Sequence, residues 1–181
     1  APSCHSMHVP GDGLGASVRA GTLSAVRIAS EYSRLPTPTV RRMLEGLPPA
    51  RGFRVVVKPL RYRHRPHLAA ETRFEDGEIV LQVPEPFFPF GEVVAYAARR
   101  RPGRSMRFIW LTEGVTFRTP REVLRFLYLH EWMHWYLERH HGWGSSAETT
   151  CDRFALRNYK RRKVTLEDAL AAIRRNGSAG G

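Results

Sequence analysis

The apolar positions change period along the chain, and each change marks an element. Residues 53–60, Phe-Arg-Val-Val-Val-Lys-Pro-Leu, form a compact β-branched run that predicts a strand. Residues 71–83 hold a second apolar run, Glu78 to Val83, preceded by Asp76-Gly77. That dipeptide tolerates positive φ, so the segment predicts a β-hairpin turning there. Pro84, Pro86 and Pro89 end it. A short helix is expected over Glu92–Arg101 and a strand over Arg107–Thr112. From Thr119 onward the pattern is helical. Thr119-Pro120-Arg121-Glu122 has capping-box spacing with proline at the first helical position, and Leu124, Leu127, Tyr128 and Leu137 supply apolar contacts. A helix from Pro120 to His140 follows, stopping before Gly142. Ser145-Ser-Ala-Glu148 predicts the start of a helix reaching Lys160, and Thr165-Leu-Glu-Asp168 one ending at Asn176-Gly177.

The first 35 residues are weakly patterned, with Gly11, Gly13, Gly15 and Gly21 close together. They are expected to form a flexible arm carrying a short helix near Leu23–Tyr32. A helical turn is expected over Pro38–Glu45, capped by Thr37 and stopped by Pro48 and Pro49. The chain then divides into an arm over 1–35, one α+β domain over 36–177 and a disordered tail over 178–181.

At 181 residues and 42% apolar content, the chain is long enough to bury one ordinary core. Two cysteines, Cys4 and Cys151, exclude a disulfide scaffold and a four-cysteine zinc ribbon. No apolar run nears the ~20 residues of a membrane span, and no signal-peptide pattern opens the chain, so a soluble cytoplasmic protein without a membrane partner is expected. The net charge is +12 and the pI about 10.8. Such a field attracts phosphates, nucleic acid or acidic protein surfaces. Arginine clusters at 61–65, 99–104 and 157–163. A plainer origin exists, since arginine outnumbers lysine 26 to 3, as GC-rich coding tends to produce. No zinc-finger, RNA-recognition or helix-turn-helix signature accompanies the charge.

Chemistry concentrates inside the Pro120 helix, at His130-Glu131-Trp132-Met133-His134. Residues four apart share a helix face, so both imidazoles can reach one ion, and zinc accepts neutral imidazole nitrogens. Glu131 sits about 100° round the helix from His130, away from the natural ligand direction. It is placed instead to take a proton from a water activated by the ion. With 8 histidines and 13 glutamates in the chain, composition alone gives this pattern a chance occurrence of roughly 2–3%. The plainer alternative is a helix with two ordinary surface or core histidines.

A tetrahedral site with one open position needs a third protein ligand. Glu148 opens the next expected helix, with thirteen residues between it and His134, and Asp152 lies one turn further on the same face. Asp152 can accept a hydrogen bond from a ligand histidine and fix its tautomer, or it can be the ligand itself. His140 has metzincin spacing from His134, but Leu137 stands where that pattern needs glycine and no methionine follows Met133. His141, beside Gly142, is a further candidate. Cys151 reads as a small buried packing residue. Cys4, His5 and His8 form a possible separate metal cluster or an arm reaching the same ion. Trp132, Trp135, Tyr136 and Trp143 read as packing around the motif, and Tyr136 or Tyr159 are conceivable oxyanion donors.

His130-Glu131-x-x-His134 followed by Glu148-x-x-x-Asp152 resembles the gluzincin metallopeptidases, and Glu148–Ala155 resembles the second helix of small bacterial ImmA/IrrE-type and minigluzincin proteins. The resemblance covers residues 78–159. It implies one Zn2+ on His130, His134 and Glu148, general base Glu131, and Asp152 behind the ligands. It also implies a zincin-like fold: a small, twisted, mostly antiparallel sheet packed on the active-site helix and the glutamate-bearing helix. An edge strand there would hold a peptide or protein substrate, and Glu78–Val83 has the composition for it. Two other functions remain open: a zincin-fold regulatory or nucleic-acid-associated protein acting by binding through its basic surface, and a protease whose basic arm docks on DNA.

Overall fold

The structure is a computed structural model, and it describes residues 26–100, 108–142 and 147–177. The elements run β1 (Arg27–Ser30), α1 (Thr37–Met43), β2 (Arg54–Leu60), β3 (Ala69–Arg73), β4 (Glu78–Pro84), β5 (Phe90–Arg100), β6 (Phe108–Phe117), α2 (Pro120–His141), α3 (Glu148–Asn158) and α4 (Leu166–Gly177). The fold is mixed α+β. Strands β1–β4 form one sheet in the order β1-β2-β4-β3, and β5–β6 form a separate two-stranded ribbon. Among the described residues no helix is long and apolar enough to cross a membrane.

The four-stranded sheet is not mostly antiparallel, as expected, because β1–β2 and β2–β4 are both parallel and only β3–β4 is antiparallel. A parallel neighbour requires a crossover, and helix α1 supplies it between β1 and β2. Strands β2 and β4 are correspondingly apolar on both faces, with Val55, Val56, Val57, Ile79, Val80 and Leu81 all buried. The expected hairpin at Asp76-Gly77 joins β3 to β4, with Gly77 at φ 63°. The chain therefore runs from β2 past the position of β4 to the far edge, then back. Strand β4, anticipated as the substrate-holding edge, is interior, and β3 is the edge.

Two expected helices are strands. The segment anticipated as helix at Leu23–Tyr32 contains β1, paired with β2 from Arg27↔Arg54 to Ser30↔Val57. Val26 and Ile28 point inward while Arg27 and Ala29 are exposed, a period of two too short to stand out in sequence. Residues 26–35 thus belong to the folded domain rather than to a flexible arm: Tyr32 and Leu35 are buried too. The segment Glu92–Arg101, also anticipated as helix, lies largely in β5, with Arg101 outside the described residues. Phe90 and Val94 are its buried anchors. A spacing of four suits one helix face and one strand face equally, and the pairing with β6 decides between them. Phe117 at the base of the ribbon packs on Phe90, Phe126 and Tyr159, with ring centroids 5.2–5.7 Å apart.

The helix signals produce helices. Thr119 Oγ1 accepts from the Glu122 amide at 3.2 Å, Glu122 accepts from the Arg118 amide at 2.6 Å, and Gly142 ends α2 at φ 61°. The Thr165 amide donates to Asp168 at 2.8 Å at the start of α4. Helix α1 differs in its cap: Pro36 occupies the cap position, and Thr37 Oγ1 instead accepts from the Ser30 amide at 3.1 Å. The second start signal, at Ser145, lies outside the described residues in part, and Ala147 precedes the first residue of α3. The expected tail, 178–181, lies outside them as well.

Arg125 on α2 is fully buried and holds two segments to that helix. Its guanidinium donates to the carbonyls of Met43 and Glu45 after α1, and of Tyr159, Arg161 and Arg162 after α3. Burial pulls its pKa down to about 10, with Arg121 adding to the effect, so it stays charged at neutral pH. Five carbonyls lose their donor in Arg125→Met, and a buried unsatisfied group costs ~1–3 kcal/mol, so this variant should lose at least about 3 kcal/mol. The urea midpoint at constant slope reads the change; a loss below ~1 kcal/mol would mean that water takes over the carbonyls.

Candidate metal centre

Helix α2 presents His130 and His134 one turn apart, and helix α3 folds back so that its first residue, Glu148, meets both. The Nε2 atoms of His130 and His134 are 3.1 Å apart. Glu148 brings Oε2 to 3.3 Å from His130 Nε2 and Oε1 to 3.0 Å from His134 Nε2. Asp152, one turn along α3, accepts from His130 Nδ1 at 2.9 Å. That bond fixes a proton on Nδ1 and aims Nε2 at Glu148 and His134. The histidine side chains are only 14% and 16% exposed, while Glu148 is 64% exposed, so the group opens to solvent on the α3 side.

The donors fit a small divalent cation. Two imidazole nitrogens and a carboxylate form a donor set that suits zinc. Donor atoms ~2.0–2.1 Å from one tetrahedral ion lie about 3.3 Å from one another, close to the separations observed. Among the described residues, His130, His134 and Glu148 are the group of three or more such side chains that converges, with ligand atoms within 4.8 Å. The carboxylates give the pocket an affinity for positive charge. Burial alone would lower the pKa of His130, but hydrogen bonds to Asp152 and Glu148 outweigh it and raise the value to about 10. His134 moves down, through burial and the neighbouring His130 charge. The Glu148 carboxyl is held low, chiefly by its hydrogen bond with His130.

The packing of α3 on α2 is apolar. Trp132 stacks on Phe154, with centroids 5.8 Å apart, and on Tyr136 at 5.1 Å with the planes 9° from parallel. Cys151, fully buried between Glu148 and Asp152 in sequence, lies in this layer, and burial pushes its thiol pKa well up. It is a packing residue, as expected.

The other candidate ligands lie elsewhere. His140 packs against the rings of Tyr136 and Trp135, at 4.8 and 5.8 Å, and His141 lies 5.6 Å from the Tyr136 ring. Asp152 reaches the cluster through the back of His130 rather than as a fourth converging group. Tyr136 is stacked on Trp132, and Tyr159 is wedged between Phe117 and Phe126. Cys4, His5, His8 and Trp143 lie outside the described residues.

One contact had no signal in the sequence. Thr72 on β3 donates its hydroxyl to Glu131 Oε2 at 2.7 Å, with the Glu131 carbonyl 3.3 Å away. Glu131 is only 6% exposed, so this bond pins the carboxylate against the edge strand beside the histidines. Finding Thr72 needed the register of β3 against α2, which no local pattern in 69–73 carries.

No protein-family model, curated protein or solved structure matches the chain.

Cobalt(II) should bind the full chain at one equivalent and give the strong visible absorption of a tetrahedral site, displaced by Zn2+. His134→Ala should abolish this signal. Asp152→Asn should weaken binding ~10–100-fold, the usual effect of removing a group that orients a ligand histidine. An octahedral spectrum, or binding indifferent to His134, would count against a shared site.

Proposed function

We propose that the chain is a zinc-dependent metallopeptidase of gluzincin type that hydrolyses peptide bonds. The observation that carries this reading is the meeting of His130 Nε2, His134 Nε2 and the Glu148 carboxylate at separations of 3.0–3.3 Å, with Glu131 next in sequence to the first ligand. His130, His134 and Glu148 would hold the ion, and Asp152 would orient His130. When bound, the ion supplies a Lewis acid and lowers the pKa of coordinated water toward ~7.

The chain's own groups account for the rest. Glu131 accepts a proton from the attacking water as its oxygen bonds to the scissile carbonyl carbon. It then passes that proton to the amide nitrogen as the C–N bond breaks, so the carboxylate is regenerated. Thr72 holds the carboxylate in place through both transfers. The free edge of β3 offers unpaired main-chain groups, and an extended peptide can add there as a further strand. That edge lies beside Glu131, so the added peptide runs past the general base. Strand addition reads main chain, which gives the groove affinity without sequence restriction.

Glu131→Gln should keep one equivalent of zinc and lose at least ~100-fold in cleavage of unfolded casein, the scale of a general-base contribution. A chelator should stop the parent protein and zinc restore it. Undiminished cleavage by Glu131→Gln would remove Glu131 from the chemistry. Thr72→Val should lower kcat roughly 10–100-fold by loosening the base, with KM nearly unchanged and Thr72→Ser restoring the rate. A loss confined to KM would place Thr72 in substrate binding instead.

A further inference from the structure

The connection from β2 to β3, residues 61–68, reads Arg-Tyr-Arg-His-Arg-Pro-His-Leu and contains no acidic residue. Arg61, Arg63, His64, Arg65 and His67 are all exposed. The loop is nevertheless held in place. Tyr62 donates its hydroxyl to the Pro86 carbonyl at 2.7 Å, which fastens the loop to the segment leaving β4. Pro66 then limits the turn into β3.

On β2 and β3 the basic side chains are ion-paired, whereas the loop, like Arg27 on the far strand β1, makes no such pair to a described carboxylate. Arg54 pairs with Glu78, Arg73 with Glu71 and Glu78, Arg34 with Glu85, and Lys58 with Glu31. No ion pair to a described carboxylate forms at Arg61, Arg63 or Arg65. Three exposed arginines thus share one short connection that contains no acidic residue. Repulsion among like charges on a fixed loop is unfavourable, and an acidic partner relieves it.

The position of the loop indicates which partner. The loop leads directly into Ala69, the first residue of edge strand β3, and Thr72 on that strand contacts Glu131. At ~3.3 Å per residue, Ala69 lies about 10 Å from the level of Thr72. Arg65, the nearest arginine in sequence, precedes Ala69 by four residues, so a chain paired along the β3 edge with its reacting bond near Glu131 meets the loop beyond its third residue to one side. At the opposite end of β3, Arg73 is already neutralised by Glu71 and Glu78. The asymmetry lies along the strand and so along any peptide added to it.

We propose that the 61–65 loop selects substrates by an acidic segment that lies beyond the third residue to one side of the scissile bond. The proposal rests on the peptidase reading and adds a substrate class to it: extended peptides with clustered Asp or Glu on one flank. The contact is long-range and exposed, so it acts on affinity and capture rate more than on the chemical step. Nucleic acid fits the charge alone, whereas an acidic peptide also fits the way the loop leads into the free β3 edge.

The test uses the full-length zinc-loaded protein and a set of twelve-residue fluorescent peptides with a common Ala/Val/Thr core. One peptide is neutral, two carry Glu-Asp-Glu at either the N- or the C-terminal end, and two carry Lys-Lys-Lys there. Anisotropy measures binding, and mass spectrometry measures cleavage in the same samples. One acidic peptide should bind about five- to tenfold tighter than the neutral one, and its mirror arrangement should not. The preference should fade between 50 and 500 mM salt. Arg61→Gln/Arg63→Gln/Arg65→Gln should erase it, and the Arg→Lys triple variant should retain most of it, which controls for misfolding. Equal binding of acidic and neutral peptides would overturn the proposal, as would equal preference for acid at both ends. Tighter binding of a 20-base-pair DNA duplex, lost in the same Gln variant, would also overturn it and assign the loop to nucleic acid. Acid-selective binding with no cleavage of any peptide would overturn the peptidase reading while leaving the loop an acid-docking surface.

Discussion

Helix α2 runs through the interior, and each polar side chain it takes there must find a partner. Thirteen of its 22 residues are buried, Arg125 and Glu131 among them. Burying such groups without hydrogen bonds costs several kcal/mol each. The partners of α2 therefore trace the fold. Arg125 gathers the chain ends after α1 and α3, and Tyr128 donates to the Pro48 carbonyl at 2.7 Å and accepts from the Ala50 amide. Glu131 takes Thr72 from β3, and His130 takes Asp152 and Glu148 from α3. The indole N–H groups of Trp132 and Trp135 are exceptions, buried without an acceptor among the described residues. The same rule thus governs Arg125 and the Glu131 carboxylate, and a single helix carries both.

The candidate site differs from Arg125 in one respect. Around Arg125 the partners are neutral carbonyls, and one cation satisfies all of them. Around His130 and His134 the partners are two carboxylates on α3, and the imidazoles are half-hidden. Acidic side chains also suit the start of a helix, where Glu148 sits. A pocket with two neutral-capable nitrogens facing two carboxylates has an excess of acceptor atoms. That excess is matched by a proton shared into the cluster or, with better geometry, by a divalent ion. The Glu148 side of the group is open to solvent.

Legibility in the sequence followed the range of the interaction that decides each feature. The caps of α2 and α4, the Gly142 stop and the Asp76-Gly77 turn are decided within four residues, and all were readable. The His130/His134 spacing is local to one helix, and Glu148 and Asp152 lie one short connection away, so the candidate donors were readable too. Strand β1 was not, because four residues of which only Ile28 is buried carry too little pattern. Strand β5 was misread as helix because Phe90 and Val94 satisfy either period until β6 pairs with it. The parallel order β1-β2-β4 and the edge position of β3 depend on crossovers and strand insertion, which leave no local mark. Arg125 and Thr72 show the same limit: a buried arginine and an edge-strand threonine look ordinary until distant segments are placed against them.

The placement of β3 gives the proposed activity its economy. One five-residue strand does three things that usually need separate devices. Through Thr72 it fixes the carboxylate that moves the proton, through its free edge it can align an extended chain, and through the loop that starts it, the aligned chain meets unpaired arginines. These functions are geometrically linked because side chains alternate across a strand while main-chain groups point along the sheet. A one-residue slip of β3 against β4 would turn Thr72 away from Glu131. The antiparallel register from Ala69↔Gln82 to Arg73↔Glu78, locked by the Gly77 turn, prevents that slip. The short hairpin that sequence alone made visible is therefore also the part of the sheet that sets the position of the Glu131 carboxylate.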